Sequence, residues 1–527
     1  MPDTRSVVVV GSGAAGLAAA LAASGAGADV VVLERAHAVG GTTAMSGGVV
    51  WMPANGRHGP AGPVEDSPED ACAYLEAAAE GDVDVALVEA FVSDARRVAD
   101  EIERRTPLVW EVLDHWPDYR GELPGARAGG RSLWPRSLCL SAEVEGRVQA
   151  AFDQPSAPST SPSAPSADPA APANDGVVLR GHVRGRALVG GLLSALIDAG
   201  ADIRTGARAT DLVVEDGRVT GVMVDGQLEA GRVVLASGGF QHDSALVGEF
   251  LAGPPIAPMG SAGCDGDGLR MAREVDATLG NTARGWWMPA MHVPGEEVEG
   301  VAHFRPLHGE RAQPGAIMVD RRGRRFVDEA QNYGDVGRAM QRAGADRGDL
   351  RYPAAPCWLV FDGAYRRRYP VGPVEPGGPD PDWLVRADDL DGLARALGMA
   401  SGPLQDTVTR FNAGAAVGED PEFGRGSFPY DRWIGDPSAP HPTLAPLGEA
   451  PFYALEVHLG CMGTKGGPRT DASGRVLSAR RVPIDGLYAA GNAAASPFGP
   501  ATAAGGATLG PALVFGFRAG EAAAGDP

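Results

Sequence analysis

Residues 7–16 read VVVVGSGAAG, an apolar run that passes directly into a glycine-rich turn. The four valines are typical of a buried parallel strand, and the Ala/Leu-rich stretch after Gly16 predicts a helix to about Ser24. A second apolar run, 29–33, predicts another strand that ends at Glu34. A strand, a helix and a second strand in this order predict an α/β fold at this end of the chain.

The turn itself has GxGxxG spacing, with glycines at positions 11, 13 and 16. This spacing lets the backbone turn sharply and approach a pyrophosphate, while the following helix N-terminus offers free N–H groups. Glu34, at the end of the second strand, is placed to accept hydrogen bonds from ribose hydroxyls. We therefore predict a dinucleotide site, the alternative being a tight turn that only packs.

A second small-residue loop, GGTTAMSGG at 40–48, favours FAD over NAD, because the larger body of FAD runs on past the pyrophosphate. Near the C-terminus, residues 491–492 and 505–512 form further glycine-rich segments, the second of which leads into a helix. They predict backbone N–H groups aimed at the flavin edge. The loop 42–48 contains no histidine, so we expect non-covalent FAD, and no metal site is predicted. The predicted FAD contacts are Gly11, Gly13, Ala14, Ala15, Gly16, Glu34, Arg35, Gly41, Thr42, Thr43, Ser46, Gly47, Gly48, Gly239, Asp267, Gly491, Asn492, Gly506, Ala507 and Leu509.

Charge, hydropathy and cysteine spacing exclude several classes of binding partner and location. The net charge of -21 argues against nucleic acid, whose phosphates require clustered positive charge. No apolar run approaches 18 residues and the N-terminus lacks signal-peptide features, so we expect no membrane span. The five cysteines show no zinc or disulfide spacing, which favours a reduced, cytoplasmic setting. The expected partners are a small hydrophobic substrate and an electron acceptor that the sequence does not identify.

Further local patterns extend the fold. Helices are predicted within 83–105 and near 186–199, and a hairpin within 209–224 that turns at Asp216-Gly217. A strand at 232–236 follows, and GLYAAGN at 486–492 predicts a strand that returns to the first sheet.

These patterns predict a Rossmann-like FAD-binding domain that is split in sequence, with an inserted α+β catalytic domain. The two parts of the FAD-binding domain are predicted at 1–283 and 448–527, and the inserted domain at 284–447. Residues 155–173, built almost entirely of Pro, Ser and Ala, are predicted to be a disordered insertion without chemistry.

Several motifs in the expected order resemble the fumarate reductase/succinate dehydrogenase flavoprotein superfamily. Within it, GGTTAMSGGVVWMPAN at 40–55 and GTKGG at 463–467 look most like 3-ketosteroid Δ1-dehydrogenases. The motifs are GSGAAGL (11–17), ERAHAVGGTTAMSGG (34–48), ASGGF (236–240), CDGDGLRMA (264–272), GTKGG (463–467), YAAGN (488–492) and GGATLGPAL (505–513).

The resemblance implies a reaction in which a base removes the proton beside a ketone while the flavin takes a hydride from the next carbon. It implies that Tyr333, in RRFVDEAQNY at 324–333, is the base and that Tyr119, in WPDY at 116–119, assists it. The ordinary pKa of tyrosine is about 10, so a base role requires help from charge or hydrogen bonds. The alternative is that each tyrosine only packs, with its hydroxyl bonded to backbone.

The chain departs from the steroid enzymes at Thr502, where they carry a tyrosine that helps to hold the ketone oxygen. Gly506 keeps its place and can still offer a backbone N–H. The leading hypothesis is dehydrogenation beside the ketone of a hydrophobic, cyclic substrate. Three alternatives stay open beside it: a reductase of an activated alkene, a redox-neutral isomerase or cyclase, and a flavoprotein scaffold without turnover. The last two are motivated by Thr502, because a threonine is shorter than the tyrosine.

Other candidates have weaker support. His458 stands farther from GTKGG than the substrate histidine of fumarate-type reductases. Arg305 and Arg311 are either carboxylate ligands or, as the favoured alternative, solvated surface residues. Lys465 is a candidate for stabilising the reduced flavin. An apolar group is predicted either to line a hydrophobic pocket or to belong to the core: Trp286, Trp287, Met288, Met291 and Phe304.

Overall fold

The computed structural model of the chain describes residues 6–60, 62–149, 184–343 and 352–525. The predicted Pro/Ser/Ala insertion lies outside the described residues. The helices are α1 (Ala14–Gly25), α2 (Gly41–Met45), α3 (Pro68–Ala78), α4 (Val85–Arg105), α5 (Ala142–Arg147), α6 (Arg184–Asp198), α7 (Ser244–Phe250), α8 (Asp267–Glu274), α9 (Tyr333–Arg342), α10 (Gly363–Arg368), α11 (Leu390–Ala396), α12 (Pro403–Ala415), α13 (Pro429–Ile434) and α14 (Leu509–Gly525). The strands are β1 (Ser6–Val10), β2 (Asp29–Glu34), β3 (Val50–Trp51), β4 (His58–Gly59), β5 (Gly62–Pro63), β6 (Trp110–Val112), β7 (Ser132–Pro135), β8 (Asp202–Thr205), β9 (Ala209–Glu215), β10 (Arg218–Val224), β11 (Gln227–Ala230), β12 (Arg232–Leu235), β13 (Ala257–Pro258), β14 (Leu279–Gly280), β15 (Gly285–Val298), β16 (Val301–Pro306), β17 (Ala316–Val319), β18 (Cys357–Asp362), β19 (Val385–Ala387), β20 (Phe452–Thr464), β21 (Gly467–Pro468), β22 (Arg475–Leu477) and β23 (Pro483–Ala489).

The first sheet has the strand order β22-β23-β12-β1-β2-β8. Strand β1 is parallel to both neighbours, with Val8 opposite Val31 on one side and Val233 on the other. Both faces of β1 are covered, which is why its sequence is a continuous run of valines rather than an alternating pattern. The predicted α/β class is confirmed, and β23 returns to this sheet beside β12 as predicted.

Helices α1 and α14 pack against each other through small residues. A Cβ at Gly516 would lie 2.3 Å from the Ala15 carbonyl oxygen, and one at Gly520 would lie 2.1 Å from that of Ala19. The contacts advance by four residues in the same direction on both helices, so the two helices run parallel. Their N-termini therefore lie at the same end of the pair.

A second, seven-stranded sheet follows the order β16-β15-β20-β18-β17, and β13 and β19 also pair with β20. Its pairs are antiparallel except β13 with β20. Strand β20 lies beyond the predicted boundary at 447, and β13 lies before the one at 284. The sheet thus contains strands from both sides of the predicted domain boundaries. The boundaries themselves stay predictions.

The local predictions agree with the structure. Helix α4 occupies the predicted segment, and β9 and β10 form the predicted hairpin. Asp216 and Gly217 have φ values of 52° and 79°, as a two-residue turn of type I′ requires. Among the described residues, no helix is both long and apolar enough to cross a membrane.

Candidate active site

A cavity opens where β1 and β2 end, at the position where parallel α/β sheets bind nucleotides. Many of the predicted FAD contacts line it, and so do residues that the sequence did not single out. The predicted residues in the lining are Gly11, Gly13, Ala14, Ala15, Glu34, Arg35, Gly41, Thr42, Thr43, Ser46, Asp267, Gly491, Asn492 and Leu509.

The three glycines of the turn have different surroundings. Gly11 has a φ of +104°, and a Cβ there would lie 2.5 Å from the Ala236 carbonyl oxygen. A Cβ at Gly16 would lie 1.9 Å from the Gly11 carbonyl oxygen. At Gly13 the nearest heavy atom would be Thr43 Oγ1 at 3.5 Å, so protein packing does not require glycine there. The bare backbone of Gly13 faces the cavity, which fits the close approach of a pyrophosphate.

Two helix N-termini meet at this cavity. Ala14 and Ala15 begin α1, and Thr508 and Leu509 lie at the start of α14. Because the helices are parallel, the partial positive charges of both dipoles act on the same space. Together with Arg35 and Arg208, which also line the cavity, this arrangement suits the phosphates of FAD.

The Glu34 carboxylate organises the turn as well as facing the cavity. Its oxygens accept hydrogen bonds from Ser12 N–H (3.1 Å), Ser12 Oγ (2.5 Å) and Ala36 N–H (2.8 Å). Ser12 lines the cavity too, although its place inside the GxGxxG motif was the only signal for it.

The 41–48 loop is held beside the turn by its threonines. Thr43 Oγ1 accepts a hydrogen bond from Ala14 N–H at 3.0 Å, and Thr42 Oγ1 accepts one from Ser261 N–H at 3.0 Å. A Cβ at Gly41 would have no heavy atom within 4 Å, and Gly41 lines the cavity, so the open space beside it belongs to the candidate FAD site. These residues fit a cofactor that continues past the pyrophosphate.

Six predicted FAD contacts lie outside the cavity lining: Gly16, Gly47, Gly48, Gly239, Gly506 and Ala507. Gly239 packs against Thr464, whereas the adjacent Gly238, with a φ of +81°, lines the cavity. Lining residues that sequence reasoning missed include Arg208, Gly238, Gln241, Ser261, Cys264 and Met462. Gly238 and Cys264 stand in the ASGGF and CDGDGLRMA motifs, which were a signal for this site, whereas the other four stand outside the quoted motifs.

A cluster of aromatic rings surrounds the two tyrosines singled out by the sequence. The ring centroids of Tyr119 and Tyr333 are 5.3 Å apart, and those of Tyr119 and Tyr430 are 4.7 Å apart. His308 lies 5.7 Å from Tyr333, and its Nε2 is 3.4 Å from the Tyr430 hydroxyl. Trp433 lies 5.6 Å from Tyr430. We call these five rings the tyrosine cluster; sequence reasoning missed His308, Tyr430 and Trp433.

Tyr333 connects the tyrosine cluster with the cavity. It is the first residue of α9, whose N-cap Asn332 accepts a hydrogen bond from Asp335 N–H at 3.0 Å. Its ring packs against Tyr119 on one side and against the group formed by Met259, Met288 and Ala290 on the other. Met462, which lines the cavity, packs against that same group.

Burial governs the electrostatics of the two phenols. It raises the pKa of Tyr119 well above its ordinary value and also raises the pKa of Tyr333. The Tyr119 hydroxyl and the Arg311 guanidinium act in the opposite direction and lower the pKa of Tyr333. The two phenols are close neighbours, yet Tyr119 Oη makes no hydrogen bond of normal geometry within the described residues.

Thr502 and Gly506 lie on the loop before α14. Thr502 is buried, and a Cβ at Gly334, the residue after Tyr333, would lie 2.5 Å from Thr502 Oγ1. The loop is fixed by Lys465, whose Nζ donates to the carbonyl oxygens of Pro500 (3.1 Å) and Ala501 (2.6 Å). Thr502 is therefore held next to the start of α9.

The structure also places the weaker candidates from the sequence, which are one lysine, two arginines and one histidine. Lys465 does not line the cavity; besides its hydrogen bonds to the loop, its Nζ lies 3.9 Å from the centre of the Trp286 ring. Arg305 and Arg311 are buried, so the favoured alternative of a solvated surface is wrong for both. Arg305 pairs with Glu296 at 2.7 Å. His458 packs against Phe304 at 5.4 Å.

The apolar stretch on β15 is divided by strand alternation. Trp287 and Met291 point into the core that also contains Leu359 and Val457, whereas Met288 belongs to the group beside Tyr333, with Phe304 packed against it. Trp286 packs in the core of the first domain part and donates from Nε1 to Asn492 Oδ1 at 3.0 Å. Only part of the stretch is thus near the candidate site.

Comparison with known proteins agrees with this geometry. The model of the FAD binding domain family matches residues 6–509. The chain belongs to this family. It is an FAD-dependent oxidoreductase of the class that acts on CH–CH groups, resembling 3-ketosteroid dehydrogenases.

Individual relatives of this flavoprotein are similar over nearly their full length. The 4-oxocyclohexanecarboxylate 2-dehydrogenase of Sinomonas cyclohexanicum is 38% identical over 99% of this chain and 93% of the relative. The 3-oxosteroid 1-dehydrogenase of Mycobacterium tuberculosis H37Rv is 35% identical over 97% of each chain. The crystal structure of 3-ketosteroid Δ1-dehydrogenase from Sterolibacterium denitrificans, in complex with 1,4-androstadiene-3,17-dione, has a TM-score of 0.89 and 33% identity, covering 99% of this chain and 100% of that one.

We expect FAD to be released intact when this flavoprotein is denatured in acid. No histidine stands in the 42–48 loop, so no side chain there offers the usual imidazole attachment. All of the flavin absorbance should appear in the protein-free supernatant and co-elute with FAD. Flavin that stays with the precipitated protein would contradict non-covalent binding.

Proposed function

We propose that this flavoprotein introduces a C=C bond next to the ketone of a cyclic substrate. The observation that carries the proposal is the position of Tyr333, between Tyr119 and the group of residues shared with Met462 at the cavity wall. A base at Tyr333 lies between the other members of the tyrosine cluster and the cofactor cavity. The relatives support the same chemistry, since their names describe dehydrogenases of ketones.

The residues of the chain would share the reaction as follows. Tyr333, as tyrosinate, takes the proton from the carbon beside the ketone and becomes a phenol. Gly506 N–H, which has no acceptor in the described part of the chain, and the Thr502 hydroxyl hold the ketone oxygen while negative charge develops on it. Tyr119 assists by its proximity to the Tyr333 hydroxyl. When bound, FAD supplies the acceptor for the hydride that leaves the adjacent carbon.

We propose a substrate smaller than a steroid. One of the relatives acts, by its name, on a single-ring ketone that carries a carboxylate. In this chain Thr502 replaces the tyrosine of the steroid enzymes, and Trp116 crowds the loop beside it. A Cβ at Gly505 would lie 2.7 Å from Trp116 Nε1, and the Trp116 and Trp433 rings are 4.9 Å apart.

Anaerobic mixing with candidate ketones tests the function. We expect 4-oxocyclohexanecarboxylate to bleach the flavin band faster than 4-androstene-3,17-dione, with a product that has lost two hydrogens. Reoxidation of the reduced enzyme by activated alkenes, with no bleaching by any ketone, would replace the proposal with an alkene reductase. A product of unchanged mass without an external acceptor would replace it with an isomerase or cyclase.

Thr502→Val tests the threonine separately, because it removes the hydroxyl and keeps the shape. We expect the rate constant for flavin reduction to fall about 100-fold, in the range observed for the loss of one oxyanion donor. The matched control is Thr409→Val, the same change on the solvent side of α12. A loss of less than about threefold in Thr502→Val would remove Thr502 from the proposed ketone-binding group.

A further inference from the structure

Arg311 is fully buried, although the sequence favoured a solvated surface position for it. It lies in the short helical turn Glu310–Ala312 and has 0% of its surface exposed. Its Nε donates to the Leu307 carbonyl oxygen at 3.1 Å, and its Nη1 donates to the carbonyl oxygens of Glu329 and Gln331. Its Nη2 is buried and has no hydrogen-bond partner among the described residues.

Three other arginines that are almost completely buried each face a carboxylate. Arg131 pairs with Asp66 and Asp118, Arg325 with Glu329 and Asp420, and Arg425 with Glu329. Arg311 makes no ion pair within the ranges that the structure describes. A buried charge without a counter-ion is costly, so an anion that forms during function would be stabilised next to it.

Rings of the tyrosine cluster pack next to the short turn that carries this charge. Ala312, the next residue, packs with Tyr119 and Tyr430, and Tyr333 packs against the same group. The guanidinium acts to lower the pKa of each of these three phenols, because a nearby cation favours the tyrosinate.

Burial makes the acidic groups near Arg311 harder to ionise, which weakens them as counter-ions for its charge. Burial and the neighbouring Asp431 carboxyl raise the pKa of Asp328 to about 8. Burial also raises the pKa of Glu310 and of Asp431. His308, on the other side, is neutral because burial and the Arg311 charge lower its pKa to about 3.

We propose that Arg311 is a positioning residue whose unpaired buried charge stabilises the tyrosinate of Tyr333. This inference rests on the proposed function, in which Tyr333 accepts the substrate proton. The balance is simple: the tyrosinate gains the proton, the C–H electron pair forms the new C=C bond, and the hydride leaves the adjacent carbon for the cofactor. Arg311 exchanges no proton and raises the fraction of Tyr333 that is ready to accept one.

The test replaces Tyr333 with a fluorinated tyrosine, whose phenol is more acidic than that of tyrosine and therefore titrates at lower pH. Its tyrosinate absorbance is followed against pH in the oxidised holoenzyme, without substrate. We expect Arg311→Gln to move the midpoint upward by at least about one pH unit, the size of shift expected when a neighbouring opposite charge is removed. Arg432→Gln is the control, since it removes an exposed positive charge from α13, the helix that carries Tyr430, and should leave the midpoint unchanged.

Arg311→Lys keeps a charge and guards against misfolding of the glutamine variant. Its midpoint should stay within about half a pH unit of the unaltered protein; a larger upward shift, or no shift in Arg311→Gln, overturns the inference. The rate supplies a second readout: the fluorinated phenol should recover about tenfold of the flavin reduction lost in Arg311→Gln, which a merely structural defect would not allow. If the midpoint moves but no ketone reduces the flavin, the proposed function fails while the role of Arg311 in the cluster stands.

Discussion

Tyr333→Phe should abolish almost all reduction of the flavin by ketone substrates. Removing a general base costs about 100- to 10,000-fold in rate, and we expect a loss of about 1,000-fold here, measured by anaerobic stopped flow. The phenylalanine keeps the ring that packs between Tyr119 and the residues near Met462. The flavin spectrum and the thermal midpoint should therefore remain those of the unaltered protein.

Tyr453→Phe is the matched control for this variant. Tyr453 lies on β20, away from the tyrosine cluster, and its hydroxyl donates to Asp380 Oδ2 at 3.1 Å. It should retain the full rate of flavin reduction. If Tyr333→Phe keeps more than a tenth of the rate, another group accepts the substrate proton and the proposed role of Tyr333 is wrong.

Gly16→Ala and Gly13→Ala should distinguish a glycine that is needed for folding stability from one that is needed for FAD binding. At Gly16 the new Cβ would lie 1.9 Å from the Gly11 carbonyl oxygen, so α1 must move away from the turn. We expect a loss of about 3 kcal/mol in the free energy of unfolding, together with loss of FAD. Urea unfolding and the flavin content of the purified protein measure the two effects.

Gly13→Ala should leave the fold almost unchanged. Gly13 has a φ of -71° and a ψ of -175°, a conformation open to any residue, and its Cβ would enter the cavity. We expect unfolding to change by less than about 1 kcal/mol, while FAD affinity falls at least about tenfold. Gly248→Ala, at an open position on α7, should change neither property adversely. Equal loss of stability in both turn variants would contradict this division of roles.

The first sheet and its cofactor turn were readable because the signals are local. A run of valines reports a strand covered on both faces, and glycine spacing reports a turn whose backbone must approach its neighbours. The boundaries of the second sheet were less readable, because β20 pairs with β13, β15, β18 and β19, and no local pattern announces such distant partners.

The candidate site shows the same limit. Tyr333 and Tyr119 were found through motifs, but Tyr430, His308 and Trp433 stand in segments without one. Arg311 was the clearest failure of sequence reasoning. In a chain with many arginines its surroundings look like solvent-exposed sequence, whereas the fold encloses it between the carbonyl groups of Leu307, Glu329 and Gln331.

The sequence by itself determined the α/β class, the FAD turn and the dehydrogenase-like family, because each depends on residues close together in the chain. Only the tertiary structure decided that α1 and α14 lie parallel, with both N-termini at one cavity. It alone brought Arg311 to the tyrosine cluster, with no carboxylate partner among the residues that the structure describes. The relative direction of two helices depends on how distant segments pack together. The electrostatics of a buried charge depends on which distant groups surround that charge, so neither can be read from local sequence.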